Sequence, residues 1–186
     1  FGGTLQKATI LFSDIRGFTN FAERNGPQET VSMLNQYFTV MYEQIVNNSG
    51  MLDKYIGDAM MSVFGVPFST NRDADNAVQT AIDMIKELDI FNKKRVESGD
   101  EPIRIGIGIN TGEVVSGNIG SDKRMDYTVI GDGVNLAARL EGSTKLYKVS
   151  VLISESTKDS LHDRYLLREL DWIRVKGKDE PIAIFE

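Results

Sequence analysis

Short apolar runs alternate along the chain with longer stretches of helical periodicity. Ile10-Leu11-Phe12 is a compact apolar run bounded by polar residues, the pattern of a strand buried on both faces. It delivers Ser13 and Asp14 to its C-terminal end, where Arg16-Gly17-Phe18-Thr19 turns into a predicted helix. Over residues 28–47, Val31, Leu34, Tyr37, Phe38, Met41 and Ile45 recur at helical spacing. Pro27 stands near the start of that helix and Asn48-Ser49-Gly50 stops it. Residues 51–64 read as a hairpin with Gly57-Asp58 at its tip. Residues 71–94 repeat the helical pattern through Ala77, Val78, Ala81, Met84, Ile85, Leu88 and Phe91. Both long helices read as amphipathic packing elements and not as sites.

After a polar loop over residues 98–102, the stretch 103–109 alternates strictly. Ile103, Ile105, Ile107 and Ile109 share one face, and Arg104, Gly106 and Gly108 share the other. The bare glycine face permits close approach to the backbone. Asn110-Thr111-Gly112 is expected to close a hairpin into Val114 and beyond. Residues 127–130 read as a short strand, Gly131-Asp132-Gly133 as a turn and 134–144 as a helix. A strand over 151–153 and a short helix over 155–161 follow, then β-like runs at 165–167, 172–175 and 182–185. Helices and strands interleave with no repeat, low-complexity segment or internal linker. The class this implies is α/β (α+β), a mixed, largely antiparallel sheet with helices packed on it.

With 186 residues the chain is one domain large enough to bury a core. A net charge of −6 argues against a general nucleic-acid or anionic-membrane surface. The absence of cysteine removes disulfides, thiol catalysis and cysteine-based zinc sites. A lone histidine, His162, builds no metal cluster and reads as surface or helix-end. No apolar run approaches membrane-spanning length and no signal peptide is visible, so the expected location is cytoplasmic. Opening at Phe1, the chain reads as a fragment of a longer, multidomain protein. The glycines at 106, 108 and 112 lack the dinucleotide-binding spacing, and no glycine-rich phosphate loop ending in Gly-Lys-Ser/Thr occurs.

Candidate chemistry begins with Asp14 and Asp58. Singly they have ordinary readings, one a helix cap and the other a turn residue. Taken together, Thr9-Ile-Leu-Phe-Ser-Asp-Ile-Arg-Gly-Phe-Thr19 and Lys54-Tyr-Ile-Gly-Asp-Ala-Met-Met-Ser-Val-Phe64 resemble the metal-binding signatures of the class III nucleotide cyclases. In that family the first strand and the following hairpin each supply one aspartate. Two carboxylates about 4 Å apart repel by roughly 4 kcal/mol at an effective dielectric of 20, so their convergence calls for a cation. Oxygen-only ligation favours Mg²⁺ or Mn²⁺. The resemblance implies two such ions per active site, the carbonyl of Ile15 as a further ligand, and Phe18 and Thr19 as substrate-binding residues.

A second signature is Asp126-Tyr-Thr-Val-Ile-Gly-Asp-Gly-Val-Asn135-Leu-Ala-Ala-Arg139-Leu, in which Asn135 and Arg139 share one helix face. In isolation the pair reads as a solvated face. The cyclase resemblance makes Asn135 the residue that orients the ribose and Arg139 the one that meets charge developing on the α-phosphate. It gives base choice to Lys54, a donor toward adenine N1, and Thr128, an acceptor for the N6 amino group. Many adenylate cyclases carry Asp where this chain has Thr128. Lys with Thr is similar to the bicarbonate-responsive soluble cyclases and their bacterial relatives, whereas guanylate cyclases carry Glu and Cys there. Arg104 and Lys176, the latter in Val175-Lys-Gly-Lys178, are added as triphosphate contacts.

The resemblance spans nearly the whole chain and implies a single nucleotide cyclase catalytic domain over residues 1–186. Its fold would be a ferredoxin-like βαββαβ core with a C-terminal extension. Its reaction would be adenylate cyclase chemistry, ATP to cyclic AMP and pyrophosphate. The acceptor of the 3′-hydroxyl proton stays open among Asp14, a water and the substrate itself. The family's sites lie at a head-to-tail dimer interface. Asp14, Asp58 and Arg104 would come from one subunit, and Lys54, Thr128, Asn135, Arg139 and Lys176 from the other, giving a homodimer two equivalent sites. Alternatives are guanylate cyclase or a non-catalytic, nucleotide-binding regulatory domain. Regulation by bicarbonate or calcium follows from the same resemblance, and no nucleic-acid or direct membrane contact is expected.

Overall fold

The structure, a computed structural model, describes residues 3–174 and 181–186. The first half builds a βαββαβ unit from β1 (Thr4–Ile15), α1 (Phe18–Asn47), β2 (Met51–Ile56), β3 (Ala59–Phe64), α2 (Asp73–Glu97) and β4 (Ile105–Ser121). The extension adds β5 (Arg124–Ile130), α3 (Asp132–Tyr147), β6 (Val151–Ser154), α4 (Glu155–Asp159), β7 (Glu169–Ile173) and β8 (Ile182–Phe185). Strand order is β2-β3-β1-β4-β6-β8-β7, with β5 folding back on the far end of β4. Every described pairing is antiparallel except β4 with β6. The expected mixed, largely antiparallel sheet with packed helices is therefore the observed one.

The apolar run read as a strand buried on both faces is one, and the alternation of its side chains decides the two layers. Leu11 and Ile15 face α1 and α2, joining Tyr37, Met41, Ile45, Met84, Ile105, Ile107 and Ile109 in the larger core. Ala8, Ile10 and Phe12 face the other side and pack with Val63, Val114, Val129 and Ala137. Because side chains alternate across a strand, Asp14 falls on the second face and Ser13 on the first. α1 is interrupted at Gly26 (φ 77°, ψ 171°), immediately before Pro27. Proline has no N–H to give to a continuing helix, so a second helical segment begins there, close to the start expected from its periodicity.

Three local expectations fail. Residues 110–112 form no hairpin, because β4 continues through them and pairs with β1 from Ile105↔Ile15 to Ser116↔Thr4. The polar groups that suggested a turn are used in tertiary bonds instead. Asn110 is buried, donates to the Gly133 carbonyl at 3.0 Å and accepts from Ser154 at 2.6 Å. The run at 165–167 is not a strand; Tyr165 and Leu167 pack sideways on the larger core while Leu166 is exposed. Ile103 and Arg104 also lie just ahead of β4 and not within it.

What approaches the glycine face is α3. A Cβ on Gly108 would lie 2.2 Å from the Glu141 nitrogen and 2.5 Å from the Ala137 carbonyl oxygen, and one on Gly106 2.3 Å from Thr144 Oγ1. Helix and strand backbones touch, and no side chain fits between them. Gly108→Ala should therefore destabilise the protein by about 1–3 kcal/mol through overpacking. Gly142→Ala, in open space on the same helix, should stabilise it by about 0.5–1 kcal/mol. Urea midpoints for the two variants should move in opposite directions.

Candidate active site

The end of β1 gathers acid groups from distant parts of the sequence. Asp14 pairs in register with Gly106, which places it on the face covered by α3. The β2–β3 turn swings Asp58 against the same strand end, and the Ile15 N–H donates to Asp58 Oδ2 at 2.9 Å. Asp14 Oδ1 is buried and has no hydrogen-bond partner among the described residues. Burial, above all, raises the Asp58 carboxyl above its ordinary range; the Ile15 N–H opposes that shift and Asp14 adds to it. On the other side of the strand lies the fully buried Tyr37 hydroxyl, whose pKa is raised chiefly by burial and further by the nearby acids.

Glu141 of α3 is a third acid, absent from the candidates read in the sequence. It is 8% exposed, and its Oε2 also lacks a partner among the described residues. Burial first, then contact with Asp14, pushes its carboxyl up to about 8, against the opposing charge of Lys145. A signal was present. Ala137, Leu140, Glu141 and Thr144 form the buried stripe of α3, so an acid stood in phase with core positions opposite the glycine strand. Among the described residues no three acidic or histidine side chains form a complete metal cage. A hard cation here would draw on Asp14 and Asp58 and complete its shell with backbone, water or substrate oxygens, as Mg²⁺ commonly does. The buried Asp14 carboxylate, with the Glu141 acid against it, fits that use, since crowded buried acids need a proton or a cation between them.

The turn after β1 offers positive charge. Gly17 caps α1 in a left-handed conformation (φ 67°) with no side-chain hydrogen bond, so Asp14 is not the helix cap. The first-turn N–H groups, Phe18 and Thr19 among them, lie at the positive end of the helix dipole. A cleft of about 270 Å³ opens there between Ile15, Arg16, Gly17, Asn20, Arg24 and Arg104. Arg104 is exposed, and its carbonyl accepts from the Arg16 N–H at 2.8 Å. Groups of positive charge thus adjoin the acid pair.

Lys54 and Thr128 meet through a residue the sequence reading passed over. Asp53, with a side chain only 1% exposed, accepts from Thr128 Oγ1 at 2.7 and 2.8 Å and lies 3.6 Å from Lys54 Nζ. The exposed apolar residues Tyr55, Ile56, Tyr127 and Ile130 flank this pair in sequence. Asn135 and Arg139 both stand on exposed positions of α3, and Arg139 donates to the Arg174 carbonyl. Among the described residues neither bonds to Asp14 or Asp58. Lys176 lies outside the described residues.

A carboxylate pair thus stands at a strand end, beside a basic helix N-terminus and apart from the Asp53–Lys54–Thr128 group. The chain belongs to the family described as the adenylate and guanylate cyclase catalytic domain, whose model matches residues 3–185. It is 43% identical to the adenylate cyclase of Anabaena cylindrica over 97% of its own length and 36% of that protein's. Among solved structures it resembles the guanylyl cyclase Cya2 (TM-score 0.90, 39% identity, all of this chain and 93% of that one). It resembles equally the adenylyl cyclase CyaB from P. aeruginosa (TM-score 0.90, 36% identity, all of this chain and 95% of that one). No described helix is long and apolar enough to cross a membrane.

Glu141 gives the cation-free protein a pH signature. A carboxyl raised from 4.5 to about 8 on folding holds its proton more tightly in the native state. Stability is then undiminished below pH 4.5 and falls as pH rises toward 8. Glu141→Gln should remove this slope, stabilising the chelator-treated protein by about 1–3 kcal/mol at pH 8 and by little at pH 4.5. Thermal melts across that range test it.

Proposed function

We propose that this domain is an adenylate cyclase, converting ATP to cyclic AMP and pyrophosphate at sites shared between two copies of the chain. The observation that carries this reading is the Asp14–Asp58 pair, fastened by the Ile15 N–H and holding a buried carboxylate oxygen without a partner. Asp14 and Asp58, with the Ile15 carbonyl, would hold two Mg²⁺ or Mn²⁺ ions. Such ions, when bound, supply the charge that acidifies the attacking hydroxyl and neutralises the leaving pyrophosphate.

The chain's own residues position the substrate. The first-turn N–H groups of Phe18 and Thr19 and the Arg104 guanidinium take the triphosphate, with Lys176 in the same role. Lys54 donates to adenine N1 and Thr128 accepts from the N6 amino group. Asn135 holds the ribose so that its 3′-oxygen faces the α-phosphorus. The bond from O3′ to the α-phosphorus forms as the bond to the β-bridging oxygen breaks, and Arg139 meets the charge that develops. The hydroxyl proton goes to Asp14, to water or to the substrate.

Two features support a shared site. Asn135 and Arg139 stand outward on α3, with no described bond to the acids they would have to serve. Tyr55 is 46% exposed and Ile56 and Ile130 are each 51% exposed, an apolar surface next to Lys54 and Thr128 that a second copy would cover. Guanylate cyclase is the second reading, favoured by the likeness to Cya2. Lys54 and Thr128 weigh against it, because guanine presents N1–H to a donor.

With Mg²⁺ or Mn²⁺ the protein should form cyclic AMP from ATP, and Asp14→Ala should reduce turnover by at least about 10²-fold. Faster cyclisation of GTP would overturn the assignment. Arg139→Ala should lower kcat by about 10²–10³-fold with a much smaller change in KM. Mixing Asp14→Ala and Arg139→Ala chains should restore one working site per mixed dimer. Mixed dimers without recovered activity would exclude the shared site.

A further inference from the structure

Asp53 has no place in the roles above, yet it touches both residues assigned to the base. Its side chain is 1% exposed, and its carboxylate oxygens lie 2.7 and 2.8 Å from Thr128 Oγ1. The Val129 N–H donates to Asp53 Oδ2 at 3.3 Å, and Lys54 Nζ stands 3.6 Å from Oδ1. β2 and β5, which carry these residues, are not neighbours in the sheet; their side chains meet across it.

The chemistry follows from counting protons. A threonine hydroxyl has one proton and two lone pairs, and a carboxylate only accepts. In this arrangement the Thr128 proton is given to Asp53, and what remains for a ligand is a lone pair. Thr128 alone could serve either an amino or an oxo group by rotating its hydroxyl; fixed by Asp53, it accepts only. The same carboxylate holds the Lys54 ammonium nearby, a group that can only donate. The pair then presents one acceptor and one donor in fixed order, which suits a ring carrying an exocyclic amine next to an unprotonated ring nitrogen. A 6-oxo purine offers the reverse pattern at both atoms.

We infer that Asp53 is the specificity-determining positioning residue of this domain, setting the hydrogen-bond polarity of Thr128 beside the donor Lys54 so that 6-aminopurine nucleotides are accepted and 6-oxopurine nucleotides refused. This rests on Lys54 and Thr128 reading the base, as proposed above. It adds that their discrimination comes from a third side chain that need not touch the nucleotide.

The test compares kcat/KM for ATP and inosine triphosphate, which differ at the 6-position and N1 and not at the 2-position. The wild-type ratio checks the underlying reading: a wild type that does not favour ATP removes the adenine assignment, whatever Asp53 does. Given a wild-type preference, Asp53→Asn should lower the ratio by about 10- to 100-fold, because an amide can donate to Thr128 and free its proton for an oxo group. Thr128→Val should lower it similarly and Thr128→Ser should keep it. Adding Asp53→Asn to Thr128→Val should change the ratio no further. A ratio that Asp53→Asn leaves intact, with both substrates slowed equally, would reduce Asp53 to a structural residue and overturn the inference. Should that variant not fold, an unchanged ratio in Thr128→Val overturns it equally.

Discussion

Carboxylates at Asp14, Asp58 and Glu141 crowd one partly dehydrated corner of the protein, and much of the surrounding structure holds them there against their mutual repulsion. The antiparallel pairing of β1 with β4 sets Asp14 on the α3 face. The β2–β3 turn is pinned by the Ile15 N–H, which supplies one of the few donors available to the acids. Burial and like charge together raise Asp58 and Glu141, so the corner as it stands favours protons or cations. Such a corner lowers stability unless something positive arrives, which is the usual relation between a binding site and the fold that carries it.

Close approach of α3 to β4 completes that corner. Gly106 and Gly108 remove the side chains that would hold the helix away, and Ala137, Glu141 and Thr144 come down onto bare backbone. One face of α3 thus delivers an acid beside Asp14, while its opposite face presents Asn135 and Arg139 outward. A single helix serves two directions because positions 137 and 141 lie on one side of the turn and 135 and 139 on the other. The inward face completes the acid corner, and the outward face is exposed, with Arg139 donating to the Arg174 carbonyl.

Polarity is managed in the same indirect way around Thr128. A residue named for its own hydroxyl depends on a buried neighbour to decide whether it gives or takes a hydrogen bond. Asp53 immediately precedes Lys54, so one short stretch of β2 places an ammonium 3.6 Å from the carboxylate that orients the Thr128 hydroxyl.

The amino-acid sequence by itself determined the elements whose signal is local. The apolar run at 10–12, alternation along 103–109, helical spacing through 28–47 and 71–94, and the Gly57-Asp58 turn each declare themselves within a few residues. The family motifs around Asp14, Asp58, Asn135 and Arg139 were legible for the same reason. Tertiary structure alone decided the rest. Asn110-Thr111-Gly112 has the composition of a turn, but twelve paired positions with β1 keep it extended, and its amide is consumed by Gly133 and Ser154. Glu141 stands in phase with the core stripe of α3, but only the packing of that helix on the glycine strand sets it against Asp14, and Asp53 gains its partner only when Thr128 arrives from 75 residues away. Local pattern reports which face a residue takes; only the packed fold reports which groups share that face, and charge and hydrogen-bond polarity depend on the company.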